Sequence, residues 1–520
     1  MFQSKEIKYP VGIQTFSVVR EGGYLYVDKT AFIARLLRGK YYFLSRPRRF
    51  GKSLFLSTLE SYFLGERELF KGLAIENLTE KWEKYPVLHL DLNNRQYVSL
   101  ESLKEELISH LEQWEAIYGD EKQDRAVEER FAYVIRRAKE LTGKDVVILV
   151  DEYDKPLLSS IAHPDLSAQY RDLLKAFYSN LKSMDRYIKF AMLTGVARFS
   201  KVSIFSDLNN LNDITFVDDF AGICGITAEE LNHYFDKSTD YLAQSLGSTP
   251  EKIKEDLKRR YDGYHFTEKS PDIYNPFSIM KVFDNKRMDS YWFESGTPSY
   301  LVKLIEQGGW KLRNLAPTEI EETKLATADI MTQNPILVCF QSGYLTIKGY
   351  DPVFKTYLLD YPNEEVKEGF LSFLVPYYIQ KEGKDGVFSV KRFTMAILKG
   401  DIEEFMNLLS SMISGVPYSE KGSAEAHFQN ATYLLFTLMG FYTNTEVRTS
   451  DGRIDLKLET PRFVYIFEFK IDSSAEEAMS QIEKKEYWVP YLNNGKEIVL
   501  IGADFSTKTR RITDWIIKSI

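Results

Sequence analysis

Phe43-Leu44-Ser45-Arg46-Pro47-Arg48-Arg49-Phe50-Gly51-Lys52-Ser53-Leu54 is the stretch on which the reading of this chain turns. An apolar run, Tyr41 to Leu44, stops at a loop, and a helical pattern starts at Ser53. The loop ends in Gly-Lys-Ser, the tail of the phosphate-binding pattern G-x-x-x-x-G-K-[ST]. Loop N–H groups and the positive end of the following helix suit a triphosphate. Lys52 would reach its β- and γ-phosphates, and the Ser53 hydroxyl would hold Mg²⁺. Arg46 stands where the general pattern has its first glycine. Taken alone, the same residues also describe a solvated basic turn.

Outward from this loop, short apolar runs alternate with longer helical patterns up to about Phe220. The expected strands are Tyr41–Leu44, Val87–Leu92, Val146–Val150 and Ile188–Leu193, with helices over Ser53–Leu64, Leu100–Ile117 and Gln123–Leu141. Such alternation predicts a parallel α/β sheet, and strands this apolar belong inside a sheet covered on both faces. Val146-Val147-Ile148-Leu149-Val150 runs straight into Asp151-Glu152. Behind a Gly-Lys-Ser loop, that is the second half of a nucleotide-hydrolysing site: Asp151 holds Mg²⁺ through water and Glu152 activates the attacking water. Thr194, at the end of the fourth strand, could sense the γ-phosphate, or only cap the strand. Arg198 could neutralise transition-state charge, or only pair with Asp207 or Asp213.

The chain has 520 residues, long for one core, so two or three domains are expected. Its net charge of −8 argues against wholesale coating of nucleic acid and leaves DNA contact to local basic patches. Two cysteines, Cys224 and Cys339, exclude a disulfide framework. No apolar run approaches the roughly 20 residues needed to span a bilayer, so no membrane contact and a cytoplasmic location are expected. With 6 histidines and no His/Cys cluster, zinc chemistry and Ser-His-Asp catalysis have little support.

Phe16 to Thr30 (ending Tyr24-Leu25-Tyr26-Val27-Asp28-Lys29-Thr30), Arg46–Leu54, Asp151–Pro156 and Thr194-Gly195-Val196 through Leu211 resemble the AAA-ATPase-like family of bacterial P-loop proteins. In that family the loop commonly reads Arg-Pro-Arg-Arg-Phe-Gly-Lys-Ser, so Arg46 fits the family while departing from the general rule. The resemblance implies ATP as cofactor, bound by Arg46, Pro47, Arg48, Arg49, Phe50, Gly51, Lys52, Ser53, Leu54, Asp151 and Thr194. It also implies that Asp28-Lys29-Thr30 lies near the nucleotide. From about Asp218 to Asp385 the character changes to amphipathic helices, opening with a Thr227 N-cap and Glu230 three residues on. Ile336–Phe340, Gly343–Ile347 and Thr356–Leu359 suggest a winged-helix unit. With few clustered basic residues, it is expected to pack on the nucleotide domain as a lid.

The last hundred residues hold a second pattern. Ile454-Asp455-Leu456-Lys457-Leu458, a turn at Thr460-Pro461-Arg462, and Phe463 to Lys470 predict a hairpin. Period-two alternation puts Glu468 and Lys470 on one face, and the hairpin would bring Asp455 beside them. Two carboxylates and an ammonium at a sheet end make an oxygen-rich Mg²⁺ site, taking Asp455, Glu468 and the Phe469 carbonyl. Lys470 would position or deprotonate a water against a phosphodiester. A solvated polar row on an ordinary hairpin reads the same way. The order Asp, then Glu-x-Lys, resembles the PD-(D/E)XK nuclease superfamily, with Ile454 in place of its proline. That resemblance adds Glu425 as a helical acid completing the metal site and Gln481 as a helical polar residue near the scissile phosphate.

The expected architecture is α/β: a P-loop parallel-sheet ATPase domain (1–220), a helical and winged-helix middle region (221–385) and a C-terminal mixed α/β restriction-endonuclease-like domain (386–520). The expected function is ATP binding and hydrolysis coupled to a Mg²⁺-dependent nuclease acting on DNA, in bacterial genome defence or mobile-element biology, with a homo-oligomer supplying two cutting sites. The alternative is an ATP-dependent switch or scaffold whose nuclease-like domain binds nucleic acid or a partner without cutting. A phosphotransferase on the same loop ranks below both, because Asp151-Glu152 favours water as the nucleophile.

Overall fold

The computed structural model describes residues 7–79, 81–161, 163–198, 210–295, 301, 304–305, 310–326, 334–378, 390–414, 424–443 and 456–520. The expectations for Asp207, for the family-like stretch 205–209, and for Glu446 through Asp455 fall outside the described residues. The chain gathers into two compact units, Met1–Gly296 with Pro317–Val366, and Thr297–Ala316 with Lys367–Ile520.

In the first unit, β1 (Tyr41–Ser45), β2 (Val87–Asp91), β3 (Val146–Asp151), β4 (Ile188–Gly195) and β5 (Asn212–Asp213) form one sheet in the order β2-β3-β4-β1-β5. Every neighbouring pair is parallel. All residues of β1 and β3 are buried, as runs without polar alternation require. At β2, which lies at an edge, Leu88 and Leu90 are buried while Val87, His89 and Asp91 are half-buried. Helices Lys52–Phe63 and Val127–Thr142 pack on β3. The second of these starts at Val127 rather than the expected Gln123. Residues 121–125 form a turn, and Glu128 and Glu129 occupy the first helical turn, where acids complement the helix dipole.

The middle region up to Gly296 and from Pro317 to Val366 belongs to the same unit, while Thr297–Ala316 and the residues from Lys367 on belong to the second. A two-stranded pair, β6 (Ile226–Thr227) and β7 (Ile273–Tyr274), brackets three helices, Ala228–Tyr234, Asp236–Leu246 and Pro250–Tyr261. The Thr227 hydroxyl accepts from Glu230 N–H at 3.2 Å, and the Glu230 carboxylate accepts from Thr227 N–H at 2.8 Å. That reciprocal cap starts the first helix where the sequence predicts it. Strands β8 (Thr318–Glu321), β9 (Thr346–Asp351) and β10 (Thr356–Asp360) make an antiparallel sheet, order β8-β10-β9, after helix Pro335–Ser342. This winged arrangement packs on the phosphate-loop region. Phe340 stacks on Phe216, and the Tyr264 hydroxyl donates to Gly343 O at 3.2 Å. A Cβ at Gly343 would come within 2.7 Å of Pro47, so only glycine admits the approach.

In the second unit, β11 (Leu456–Glu459), β12 (Phe463–Ile471), β13 (Glu497–Ser506) and β14 (Arg511–Ser519) lie side by side in chain order. The β12–β13 pair is parallel and its two neighbours are antiparallel. A parallel pair needs a crossover, supplied by helix Ala475–Lys485. Gly502 lets that helix approach, since a Cβ there would meet the Met479 backbone nitrogen at 2.6 Å. Val464, Ile466, Met479, Ile482, Ile498 and Leu500 fill the space between. The whole is a mixed α/β chain with a parallel sheet first, a helical middle and a mixed sheet last.

Candidate functional site

The first site begins where β1 ends. Arg46 N–H donates to Gly195 O at 3.1 Å, so the loop leaves the sheet tied to the end of β4. The Arg46 side chain turns inward and is buried. Its guanidinium donates to Ser45 O and Thr215 O at 2.9 Å and to Phe220 O at 3.2 Å, and lies 4.2 Å from the Phe266 ring centroid. Burial pushes its pKa down to about 10, which leaves it charged at neutral pH. The expectation that the Arg46 side chain touches nucleotide is therefore corrected. A planar fork of five donors matches a set of inward carbonyls, and the side chain props the loop from beneath.

Arg49 adopts a left-handed backbone at φ 66. Its guanidinium lies 3.8 Å from the Phe277 ring centroid and donates to Tyr291 O at 2.8 Å. Gly51 caps the next helix at φ 91, a conformation glycine adopts without strain. Lys52 opens the helix with its ammonium inside the loop, donating to Arg46 O and Pro47 O at 3.1 Å each. A cavity of about 370 Å³ opens beside these residues, within the roughly 300–1,000 Å³ span of small-molecule sites. Arg48, Lys52, Ser53, Asn93, Glu152 and Lys155 give it polar walls.

The acids come from the neighbouring strands. Sheet order puts β4 between β3 and β1, and Glu152, just past the end of β3, joins the loop after β1 in lining this cavity. Asp151 Oδ1 accepts from the Thr194 hydroxyl at 2.6 Å and from Glu152 N–H at 3.0 Å. Glu152 sits at φ 50, a left-handed conformation costly for a non-glycine residue. Arg198 pairs with Asp213 at 2.6 Å and lies over Phe216, the second of the two roles the sequence allows. Asp28 accepts from Thr30 N–H at 2.8 Å and Ala74 N–H at 2.7 Å. Lys29 pairs with Glu230 at 2.6 Å; burial holds its amine below the ordinary lysine range, and Glu230 partly offsets that.

The second site lies on β12 and the crossover helix. Glu468 is buried, and its Oε1 is 3.6 Å from the Lys470 ammonium. Gln481 bridges the two: its Oε1 accepts from Lys470 at 2.5 Å and its amide nitrogen donates to Glu468 Oε1. Glu425 is exposed at the start of helix Ala424–Thr443 and accepts from Gln429, one turn further on. The β11–β12 ladder pairs Leu456 with Phe467 at its end, and Asp455 lies outside the described residues. Among the described residues no three of His, Cys, Asp and Glu converge on one metal position.

Comparison with known proteins meets this geometry at both ends. A family model described as "Predicted AAA-ATPase" matches residues 10–205, and one for the PD-(D/E)XK nuclease superfamily matches residues 423–515. A protein of Azotobacter chroococcum mcd 1, described as "Uncharacterized protein in vnfD 5'region", is 35% identical over 534 residues, covering 99% of each chain. The chain belongs to the AAA-ATPase-like family and ends in a PD-(D/E)XK nuclease superfamily domain. No solved structure matches it.

Within the AAA-ATPase-like domain, Asp154 is a residue the sequence reading passed over. It is buried, and its Oδ2 accepts from Val196 N–H at 2.9 Å and Ala197 N–H at 2.6 Å. Burial raises its carboxyl to about 6 despite those donors. The acid ties the end of β3 to the loop after β4. Gly195 allows it, because a Cβ there would fall 2.6 Å from Asp154 Oδ1. The available signal was a second aspartate three residues after Asp151, followed by Lys-Pro. In the PD-(D/E)XK domain, the buried Glu468 carboxylate, with the expected Phe469 carbonyl beside it in sequence, offers oxygen donors of the kind a hard cation takes. They suit Mg²⁺ in kind, and Asp455, the other acid named from the sequence, lies outside the described residues.

Proposed function

We propose that this protein binds and hydrolyses ATP in its first domain and cuts DNA phosphodiester bonds in its last, using Mg²⁺ in both. One observation carries the reading: Glu152, in a strained conformation at the end of a buried strand, lines the same cavity as Lys52 and Ser53. That is the arrangement in which a carboxylate aligns water on a terminal phosphate. Bound Mg²⁺ supplies positive charge against phosphate oxygens, held by Ser53 and Asp151 at one site and by Asp455 and Glu468 at the other. Lys52 balances phosphate charge, and Thr194 keeps the Asp151 carboxylate in one orientation. At the nuclease site the Lys470 ammonium, steadied by Gln481, lowers the cost of removing a proton from water.

The middle region would act as the lid over nucleotide, with ATP binding gating the cut. A double-strand break calls for two nuclease sites, hence a homo-oligomer. For its biology we favour bacterial genome defence or mobile-element control, the setting that suits a nuclease restrained by nucleotide. The test is supercoiled and linear DNA incubated with Mg²⁺, with and without ATP. Mg²⁺-dependent cleavage that changes with ATP, is lost in Lys470→Ala and loses its ATP response in Lys52→Ala is the expected result. ATP turnover without DNA damage in any nucleotide state would instead establish the switch or scaffold reading.

A further inference from the structure

The hairpin joining β13 to β14 has Ser506-Thr507-Lys508-Thr509-Arg510-Arg511 at its tip, a run of cations and hydroxyls with no acid. Lys508, Thr509, Arg510 and Arg511 are exposed. Arg510 takes a left-handed backbone at φ 58, and its N–H donates to Ser506 O at 2.7 Å, which closes the turn. The tip is fastened to the strand that carries Glu468 and Lys470. Asp472, the residue after β12, accepts from Thr507 N–H at 2.8 Å and from the Thr507 hydroxyl at 2.5 Å. Its own N–H donates to Phe505 O at 2.9 Å. Lys470 pairs in register with Asp504, whose carboxylate accepts from Ser473 N–H at 2.8 Å and from the Thr513 hydroxyl at 3.0 Å. Both acids are thus held by neutral donors, and the exposed Asp514 lies opposite Asp504 further along β14. Among the described residues, the Lys508 and Arg511 head groups have no ion-pair partner.

We infer that this tip grips the phosphate backbone of duplex DNA beside the nuclease site, an inference that rests on the last domain acting on DNA. Strand geometry sets the distance. Ile471, the last residue of β12, lies three residues beyond Glu468, about 10 Å at a rise of about 3.3 Å per residue. One strand of a duplex carries a phosphate every ~3.4 Å of axis, so the tip meets the backbone about three nucleotides from the phosphate that Glu468 and Lys470 address. Lysine, arginine, hydroxyl and backbone N–H groups hold phosphate without reading sequence. The tip has no aromatic side chain on which unpaired bases would stack, which favours a duplex over a single strand. A chain of net charge −8 needs such a local patch, because its overall field repels DNA.

Fluorescence anisotropy of the full chain with labelled duplex DNA, in Ca²⁺ in place of Mg²⁺ and across a salt series, tests this. Lys508→Gln combined with Arg511→Gln should weaken binding roughly tenfold and flatten the slope of log affinity against log salt by about 1.8, at about 0.9 per contact. Lys508→Gln alone should flatten it by about 0.9. With Mg²⁺ and saturating DNA the double variant should still cut at the unsubstituted rate, since Glu468, Lys470 and Gln481 are untouched. Cutting lost even at saturating DNA would overturn a role confined to backbone contact. Affinity and slope unchanged in both variants would overturn the tip surface and leave DNA cutting in place. Single-stranded DNA or RNA bound more tightly than duplex, through the same two residues, would overturn the duplex assignment. Failure of the unsubstituted chain to bind or cut DNA at any salt would overturn the DNA reading of the domain, and the tip surface with it.

Discussion

The Thr194 hydroxyl donates to Asp151 Oδ1 at 2.6 Å, joining the ends of β4 and β3. Both side chains are buried, and Asp151 Oδ1 also takes the Glu152 N–H. The hydroxyl thus sets which carboxylate oxygen remains for a cation. Thr194→Val keeps the shape and removes the donor, so ATP hydrolysis should fall roughly 10- to 100-fold, the usual cost of losing a partner behind a metal ligand. Thr194→Ser should recover most of the rate. The half-maximal Mg²⁺ concentration, read from steady-state turnover, should rise in the valine variant and return in the serine variant.

At the nuclease site, Gln481 holds Lys470 and Glu468 with its two amide ends. Gln481→Leu preserves helix and bulk while releasing both partners. DNA cleavage should drop roughly 10- to 100-fold with a raised Mg²⁺ requirement. Lys470→Met removes the ammonium and should bring cutting to background at any Mg²⁺ concentration. Time courses of supercoiled plasmid nicking separate the two.

Arg46 satisfies carbonyls on three segments from within the protein. Arg46→Met keeps much of the packing and leaves those carbonyls unpaired, which should destabilise the first unit on the order of 3 kcal/mol. Arg48→Ala, at a half-buried residue on the cavity wall, should instead leave stability nearly unchanged and weaken triphosphate binding. Thermal melting and calorimetry on the two variants give opposite patterns if the loop is built this way.

How much of this was legible follows from the range of each interaction. β1 and β3 were readable because each is a fully buried run that stays apolar up to its last residue, and Glu468 and Lys470 because strand alternation is local. The inward turn of Arg46 was not, since two of its acceptors, Thr215 and Phe220, lie about 170 residues downstream. Asp154 depends on N–H groups of Val196 and Ala197, visible only once β3 and β4 are adjacent. Arg198 was readable as two alternatives, and the position of Asp213 beside β1 decided its partner. Local pattern reports which residues share a face; it does not report what distant backbone they meet.

Glu365 provides a pH signature. It is buried in the first unit, and its Oε1 accepts from Tyr291 N–H at 2.7 Å and Trp292 N–H at 3.0 Å, while Ser278 donates to Oε2 at 2.8 Å. Burial raises its carboxyl from the ordinary 4.5 to about 7, outweighing those donors. A group that binds its proton more tightly when folded stabilises the fold fully below its unfolded value. That contribution is lost as pH rises through the folded one. Between about pH 4.5 and 7 the first unit should therefore lose on the order of 3 kcal/mol from this residue, at about 1.4 kcal/mol per pH decade. Asp154, raised from 3.8 to about 6, adds a loss of the same sign at lower pH. Glu365→Gln cannot titrate, and its amide oxygen still accepts the Tyr291 and Trp292 N–H groups. Its melting temperature should fall less steeply from pH 5 to 8 than that of the unsubstituted chain, the two curves drawing apart toward pH 8. Parallel curves across that window would show that Glu365 is already ionised in the folded protein.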